Sequence, residues 1–195
     1  MHILKHSDLL DVPWKNGGGV TRNIASGLLD DRVVWSISRA DVAQDGPFSD
    51  FAGMQRVLTV VSGGEMTLIS PARSLEAKLW EPVWFDGAVP IRSELRGDPL
   101  TDLNLMFRPT HCTATVKVLR GTLDQSVSCP PQGFIAYHAL AGTARINTAL
   151  LDTADTVISS GSQMALSLGP DDAVLEIRLT YLEQSGDIRL CIPNR

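Results

Sequence analysis

The chain has 195 residues, a formal net charge of −5 and 44% hydrophobic residues, enough apolar content to pack one domain or two small halves. That balance offers no surplus of cations for nucleic-acid phosphates, and no apolar run approaches the roughly 20 residues of a membrane span. Met1-His2-Ile3-Leu4-Lys5-His6-Ser7-Asp8 interrupts any signal-peptide core with charge. Cys112, Cys129 and Cys191, odd in number and widely spaced, read as free thiols of a reducing compartment, so a cytoplasmic protein is expected.

Ser7 is placed to cap one short turn through Leu10, ended by Pro13. The next stretch, Pro13-Trp14-Lys15-Asn16-Gly17-Gly18-Gly19-Val20-Thr21-Arg22, gathers an indole, an amide, a hydroxyl and a guanidinium around three glycines. Such a run suits a small polar ligand pressed against main chain, or a tight loop whose Trp14 plugs the core. It meets neither phosphate motif. Val20 and Thr21 stand where a P-loop needs Lys and Ser/Thr, and Arg22 stands where a dinucleotide fingerprint needs glycine.

Short apolar or alternating runs follow at Val33–Ile37, Val57–Val61, Met66–Ile69, Leu103–Phe107 and Thr113–Leu119. Others lie at Phe134–Leu140, Thr156–Ile158, Met164–Leu168 and Val174–Leu182, all separated by Gly, Pro, Asp and Ser. This punctuation predicts an all-β sandwich or barrel. The halves also align: Val57–Leu68 against Ile135–Ile146, Phe85-Asp86-Gly87 against Ser159-Ser160-Gly161, and Leu103–Phe107 against Glu176–Thr180. A doubled β-roll is the jelly-roll solution of cupins. The expected division is 1–110, a first cupin-like half carrying the Trp-x-Asn-Gly-Gly-Gly segment, and 111–195, a second half packed on it.

Metal ligands are missing where cupins keep them. Counting back from Gly63 puts Arg56 at the usual Glu position, and Ser49, Asp50, Phe51 and Ala52 where the His pair belongs. No metal and no cofactor are expected. Arg56 opens an apolar strand, so it must meet solvent, a carboxylate such as Asp102, or an anionic ligand. Asp102, Asn104 and Met106 share one strand face. Trp35, Ile37 and Arg39 share another, with Ser36 and Ser38 opposite. Phe48 and Phe51 offer walls or core caps, while Ser49 and Gln55 offer polar handles. His138, in an apolar strand, reads as a satisfied core histidine. Ser160-Gly161-Ser162 lacks the spacing of a nucleophile elbow.

Four segments, Pro13–Ile24, Trp35–Val42, Gly46–Gly64 and Asp102–Phe107, resemble the HutD/Ves family of bacterial bicupins, the Trp-x-Asn-Gly-Gly-Gly-x-Thr-Arg string most specifically. The resemblance implies an RmlC-like double-stranded β-helix in two cupin-like halves, without the usual metal ligands. It further implies a part in control of histidine utilisation or in stress response, and a ligand such as formiminoglutamate or formate. The pocket carries over to Trp14, Asn16, Thr21, Arg22, Ser49, Arg56, Asp102 and Asn104. Asn23 departs from the acidic residue usual after Arg22, and Arg39 from a small or apolar one. The expectation is thus a non-catalytic binder of a small anionic or amide-bearing metabolite, with Arg22 and Arg56 gripping the carboxylate. The alternative is a metal-independent isomerase or hydrolase using Asp102 or His138. Neither nucleic acid nor membrane is an expected partner, and a homodimer stands as an open expectation.

Overall fold

A computed structural model describes residues 1–161, 163–182 and 187–193. The described residues form eighteen strands and one 3-10 turn. None of them builds a helix long and apolar enough to cross a membrane.

The chain divides into two compact units. The N-terminal unit holds Leu10–His111 and Asp187–Arg195, and the C-terminal unit holds Met1–Leu9 and Cys112–Gly186. Each terminus therefore joins the opposite half of the sequence, an exchange that a linear division at 110/111 does not contain.

In the N-terminal unit the sheet path runs β18 (Arg189–Cys191), β3 (Gly19–Leu29), β4 (Arg32–Val42), β9 (Arg92–Phe107), β6 (Gln55–Ile69) and β7 (Ser74–Ala77). Three short strands attach to it: β2 (Val12–Pro13) on β3, β5 (Gly46–Pro47) on β9 and β8 (Val83–Asp86) on β6. Val57–Val61 and Met66–Ile69, separate strands by sequence, are one continuous β6. Register shifts at Val60/Ser62 and Gly63/Glu65 bend it, and Gly97, Asp98 and Pro99 of β9 bulge out of the pairing at the second shift. Leu58, Val60, Met66, Leu68, Phe85 and Leu100 build the core of this unit.

The C-terminal unit has two sheets. One orders β1 (His2–Leu4), β15 (Thr156–Ser159), β12 (Gly133–Ala141), β17 (Ala173–Tyr181) and β10 (Cys112–Arg120). The other orders β11 (Leu123–Ser128), β16 (Gln163–Leu168), β13 (Thr143–Ile146) and β14 (Ala149–Asp152). Both sheets send side chains into one core that includes Ile135, Tyr137, Ala144, Ile146, Leu151 and Leu166, as in a jelly roll. Ser7 does not cap a helix. It lies inside the His6–Asp8 turn with its hydroxyl on Asp8, and no side chain caps that turn. Asp155 secures the segment instead, accepting the His6 amide at 3.0 Å and Lys5 Nζ at 2.6 Å.

A strand trio recurs in both units: β6 pairs with β8 and β9, and β12 pairs with β15 and β17. The sequence alignment of Val57 with Ile135 slips by one residue, however. Core-facing positions are Leu58 and Val60 in one unit and Ile135, Tyr137 and Ala139 in the other. One step of slip exchanges the two faces of a strand.

Candidate ligand-binding site

The floor of the site is a set of ranks across the N-terminal unit's sheet. Asn23, Ser38, Asn104 and Leu58 pair in one rank, and Thr21, Ala40, Asp102 and Val60 in the next. Residues paired across strands point to one face, and this face looks into a cavity of about 1320 Å³ lined entirely by residues of this unit. Ser36, Ser38 and Met106 line it, while Trp35 and Ile37, on the other face of β4, are fully buried away from it.

Arg56 is the chemical centre. The residue is 6% exposed, and its guanidinium carbon stands 4.9, 5.2 and 4.9 Å from the ring centres of Phe48, Phe51 and Phe85. Rings at this range attract a cation through their negative faces. Nη2 donates to Asn104 Oδ1 at 3.0 Å, and the Asn104 amide donates to Asp102 Oδ1. Nε is buried without a hydrogen-bond partner among the described residues. Burial lowers the guanidinium to about 10, partly offset by Asp102. Burial likewise lifts the Asp102 carboxyl to about 7, against the pull of Arg56 and with help from Asp41. The three alternatives open for Arg56 thus resolve into an amide-relayed carboxylate and an aromatic cage, with donor capacity left over.

The Trp14–Gly19 segment folds over this face by its own hydrogen bonds. Trp14 N donates to Gly19 O at 2.9 Å, Gly17 N to Trp14 O at 3.0 Å, and Gly18 N to Asn16 Oδ1 at 3.1 Å. The indole N–H donates to Thr21 Oγ1 at 2.7 Å. Gly17 takes a φ of 71°, and Gly19 allows close approach: a Cβ there would stand 2.4 Å from Asp41 O and 3.0 Å from the Trp14 ring. We expect Gly19→Ala to cost about 1–3 kcal/mol through overpacking. Gly18→Ala, whose Cβ would meet only Asn16 at 3.4 Å, should stay within about 0.5 kcal/mol. Urea denaturation of both variants checks the contrast.

Seven of the eight residues singled out in the sequence line the cavity: Trp14, Asn16, Thr21, Ser49, Arg56, Asp102 and Asn104. Arg22 does not. Alternation along β3 turns Thr21 and Asn23 inward and Arg22 to the opposite face, where it pairs with Asp11 and Asp41 at 2.6 Å each. The expected convergence of two guanidinium groups is therefore corrected to Arg56 alone at the centre. Arg39 sits opposite Arg22 in the ladder and adds no cation to the cavity. Gln55 also faces away, donating to Phe85 O at 2.7 Å. Phe85, which enters the sequence analysis only through the repeat alignment, completes the cage because its strand pairs it directly with Arg56.

In the C-terminal unit the buried Glu176 carboxylate is paired by its neighbours instead. Tyr137 Oη donates to Glu176 Oε2 at 2.7 Å, while Arg178 Nε and Lys117 Nζ reach Oε1 at 2.9 and 3.3 Å. Against the upward push of burial, the bonds from Arg178 and Tyr137 hold the Glu176 carboxyl below its usual range. His138 is buried there and bonded to Thr156 Oγ1 at 2.8 Å.

Cupin barrels commonly hold a divalent metal, but the donors facing this cavity do not fit one. Arg56 brings a permanent positive charge, and Asn104 and Asp102 already bond each other. Among the described residues no three His, Cys, Asp or Glu side chains gather at ligand distance.

Fold and site together define a cupin-type β-barrel protein with a guanidinium at the centre of its cavity. A solved cupin 2 conserved barrel domain protein from Leptotrichia buccalis shares the fold, with TM-score 0.55, 11% identity, and coverage of 81% of this chain and 89% of that one. The chain belongs to the HutD family, whose model matches residues 6–175. The structure of HutD from Pseudomonas fluorescens SBW25, in a formate condition, superposes with TM-score 0.82 at 25% identity, covering 93% of this chain and 98% of that one. Protein Ves of Cronobacter sakazakii is 32% identical over 172 residues, 87% of this chain and 93% of its own. An uncharacterized 21.2 kDa protein of the hutC 3′ region in Pseudomonas putida is 35% identical over 129 residues, 63% of this chain and 66% of its own.

Proposed function

We propose that the N-terminal unit binds a small carboxylate- or amide-bearing metabolite without transforming it, and that occupancy of the cavity modulates histidine utilisation or a stress response. The observation that carries this reading is Arg56, a caged and buried guanidinium with an unpartnered Nε at a cavity with ample room for a small metabolite. Asn104 holds the guanidinium in place, and Thr21 and Ser49 add hydroxyls to the lining. Charge-assisted bonds of about 1.5–3 kcal/mol each, set against binding costs of several kcal/mol, give affinities around micromolar. The pathway assignment draws on relatives: the Pseudomonas putida protein is named for its place in the hutC 3′ region, and the Pseudomonas fluorescens protein as HutD.

A second reading, a metal-independent isomerase or hydrolase, draws on Asp102. Its carboxyl, lifted to about 7, suits proton transfer near neutrality. Calorimetry with formate, glutamate and formiminoglutamate, followed by NMR of the recovered acids, separates the two. Saturable heat with unchanged acids is the expected result. Consumption of an acid would replace the binder with an enzyme, and absence of any heat would remove both readings.

A further inference from the structure

The cavity holds more positive charge than Arg56 alone explains. Lys15, Arg32, Arg56 and Arg108 line it against Asp50 and Asp102, in a chain whose net charge is −5. A concave surface of sign opposite to the whole protein concentrates anions.

Arg108 is the best positioned of the additional cations. Asp102, Asn104 and Met106 follow one another along the cavity face of β9, and Arg108, the first residue beyond the end of that strand, also lines the cavity. Met106 pairs with Arg56 across the sheet, and Arg108 follows Met106 by two residues, a chain reach of at most about 7 Å. Its head is held: Nε donates to Val33 O at 3.2 Å, its own amide donates to Val34 O at 2.8 Å, and Nη1 lies over Gly53, 3.1 Å from where a Cβ would be. Gly53 has a φ of 78°, so the Phe48–Gly53 loop that supplies two rings of the Arg56 cage also leaves room for this second guanidinium. Among the described residues Arg108 meets no carboxylate. Arg32 and Arg108 each line both the main cavity and an adjoining one of about 500 Å³, which places them on the ridge between the two.

We propose that Arg108, with Arg32 on the same ridge, forms a second anion subsite, so that the cavity takes a short-chain molecule with two acidic groups, one on Arg56 and one on Arg108. This rests on the reading of Arg56 as a carboxylate site and adds the residues that would take a second acidic group. A monocarboxylate fills one end only. A dicarboxylate of matching length gains the second contact at small additional entropic cost, because its first end is already held.

Calorimetry of acetate, succinate, glutarate and adipate against the full chain tests it. At least one diacid should bind about tenfold or more tighter than acetate, well beyond the statistical factor of about two from two equivalent acid groups. Arg108→Gln should collapse that ratio to about two, and Arg32→Gln should reduce it. If acetate binds and no diacid exceeds it beyond the statistical factor, the second subsite is overturned while the Arg56 reading survives. If no acid binds, both fall. A diacid preference that persists in both variants assigns the second contact elsewhere and overturns the proposal. Should Arg108→Gln fail to fold by circular dichroism, the wild-type ratio together with Arg32→Gln still decides.

Discussion

Arg56→Met keeps its fold and loses carboxylate binding by about 30- to 1000-fold, the equivalent of about 2–4 kcal/mol for removing a buried, charge-assisted partner. The two halves of this expectation have separate physical causes. Arg56 is 6% exposed and makes one hydrogen bond, with its Nε unmatched, so the charge sits in a low-dielectric place with little direct compensation. Exchanging such a buried charge for an apolar side chain of similar length is commonly neutral or stabilising, and Phe48, Phe51 and Phe85 already supply an apolar envelope for the thioether. Asp102 loses its attracting partner in this variant and stays protonated to higher pH, which limits the cost of leaving it behind. Binding has no such substitute, because the cage and the Asn104 relay serve only to aim a guanidinium. Thermal melts and acid titrations on the same preparation test both halves. A Met variant that binds acids like the wild type would end the carboxylate reading.

The fold was legible in the sequence wherever a period of two governs one face. Asp102, Asn104 and Met106, and Ser36 and Ser38 against Trp35 and Ile37, fall as alternation requires. The same rule, applied to Val20-Thr21-Arg22-Asn23, separates Arg22 from Thr21, whereas the family resemblance places both in the pocket. Gly19–Leu29 escaped as a strand because its composition is mixed and its start lies in a triglycine run. Other features have no local signal at all. Phe85 enters the cage through β8 pairing with β6, and residues 1–9 join the C-terminal unit through pairs such as His2 with Ile158. A loop of aromatics around a lone arginine at the head of an apolar strand was visible as an oddity. Which rings close on the guanidinium is decided by cross-strand partners distant in the chain.

Asp102→Asn should make the protein more stable than wild type above pH 7 and no different near pH 4. Burial raises the Asp102 carboxyl from its ordinary range to about 7 in the folded state. Between those values the native protein binds one proton more than the unfolded chain, so wild-type stability falls as pH rises, by up to about 1.4 kcal/mol per pH unit. Above about 7 the folded carboxyl is ionised as well and the loss levels off. An amide at this position cannot ionise and still accepts from the Asn104 amide, so the substitution removes the slope without removing the hydrogen bond. Ligand affinity carries the same sign. Once Asp102 ionises, a second negative charge shares the Arg56 environment with the incoming acid, and affinity declines as pH rises through about 7. In Asp102→Asn the affinity profile should be flat across that range. Melts and calorimetry at half-unit steps from pH 5 to 8.5 measure both curves. A wild-type affinity that rises through neutrality, or a variant less stable than wild type at pH 8, would show that Asp102 serves as the permanent counter-charge of Arg56.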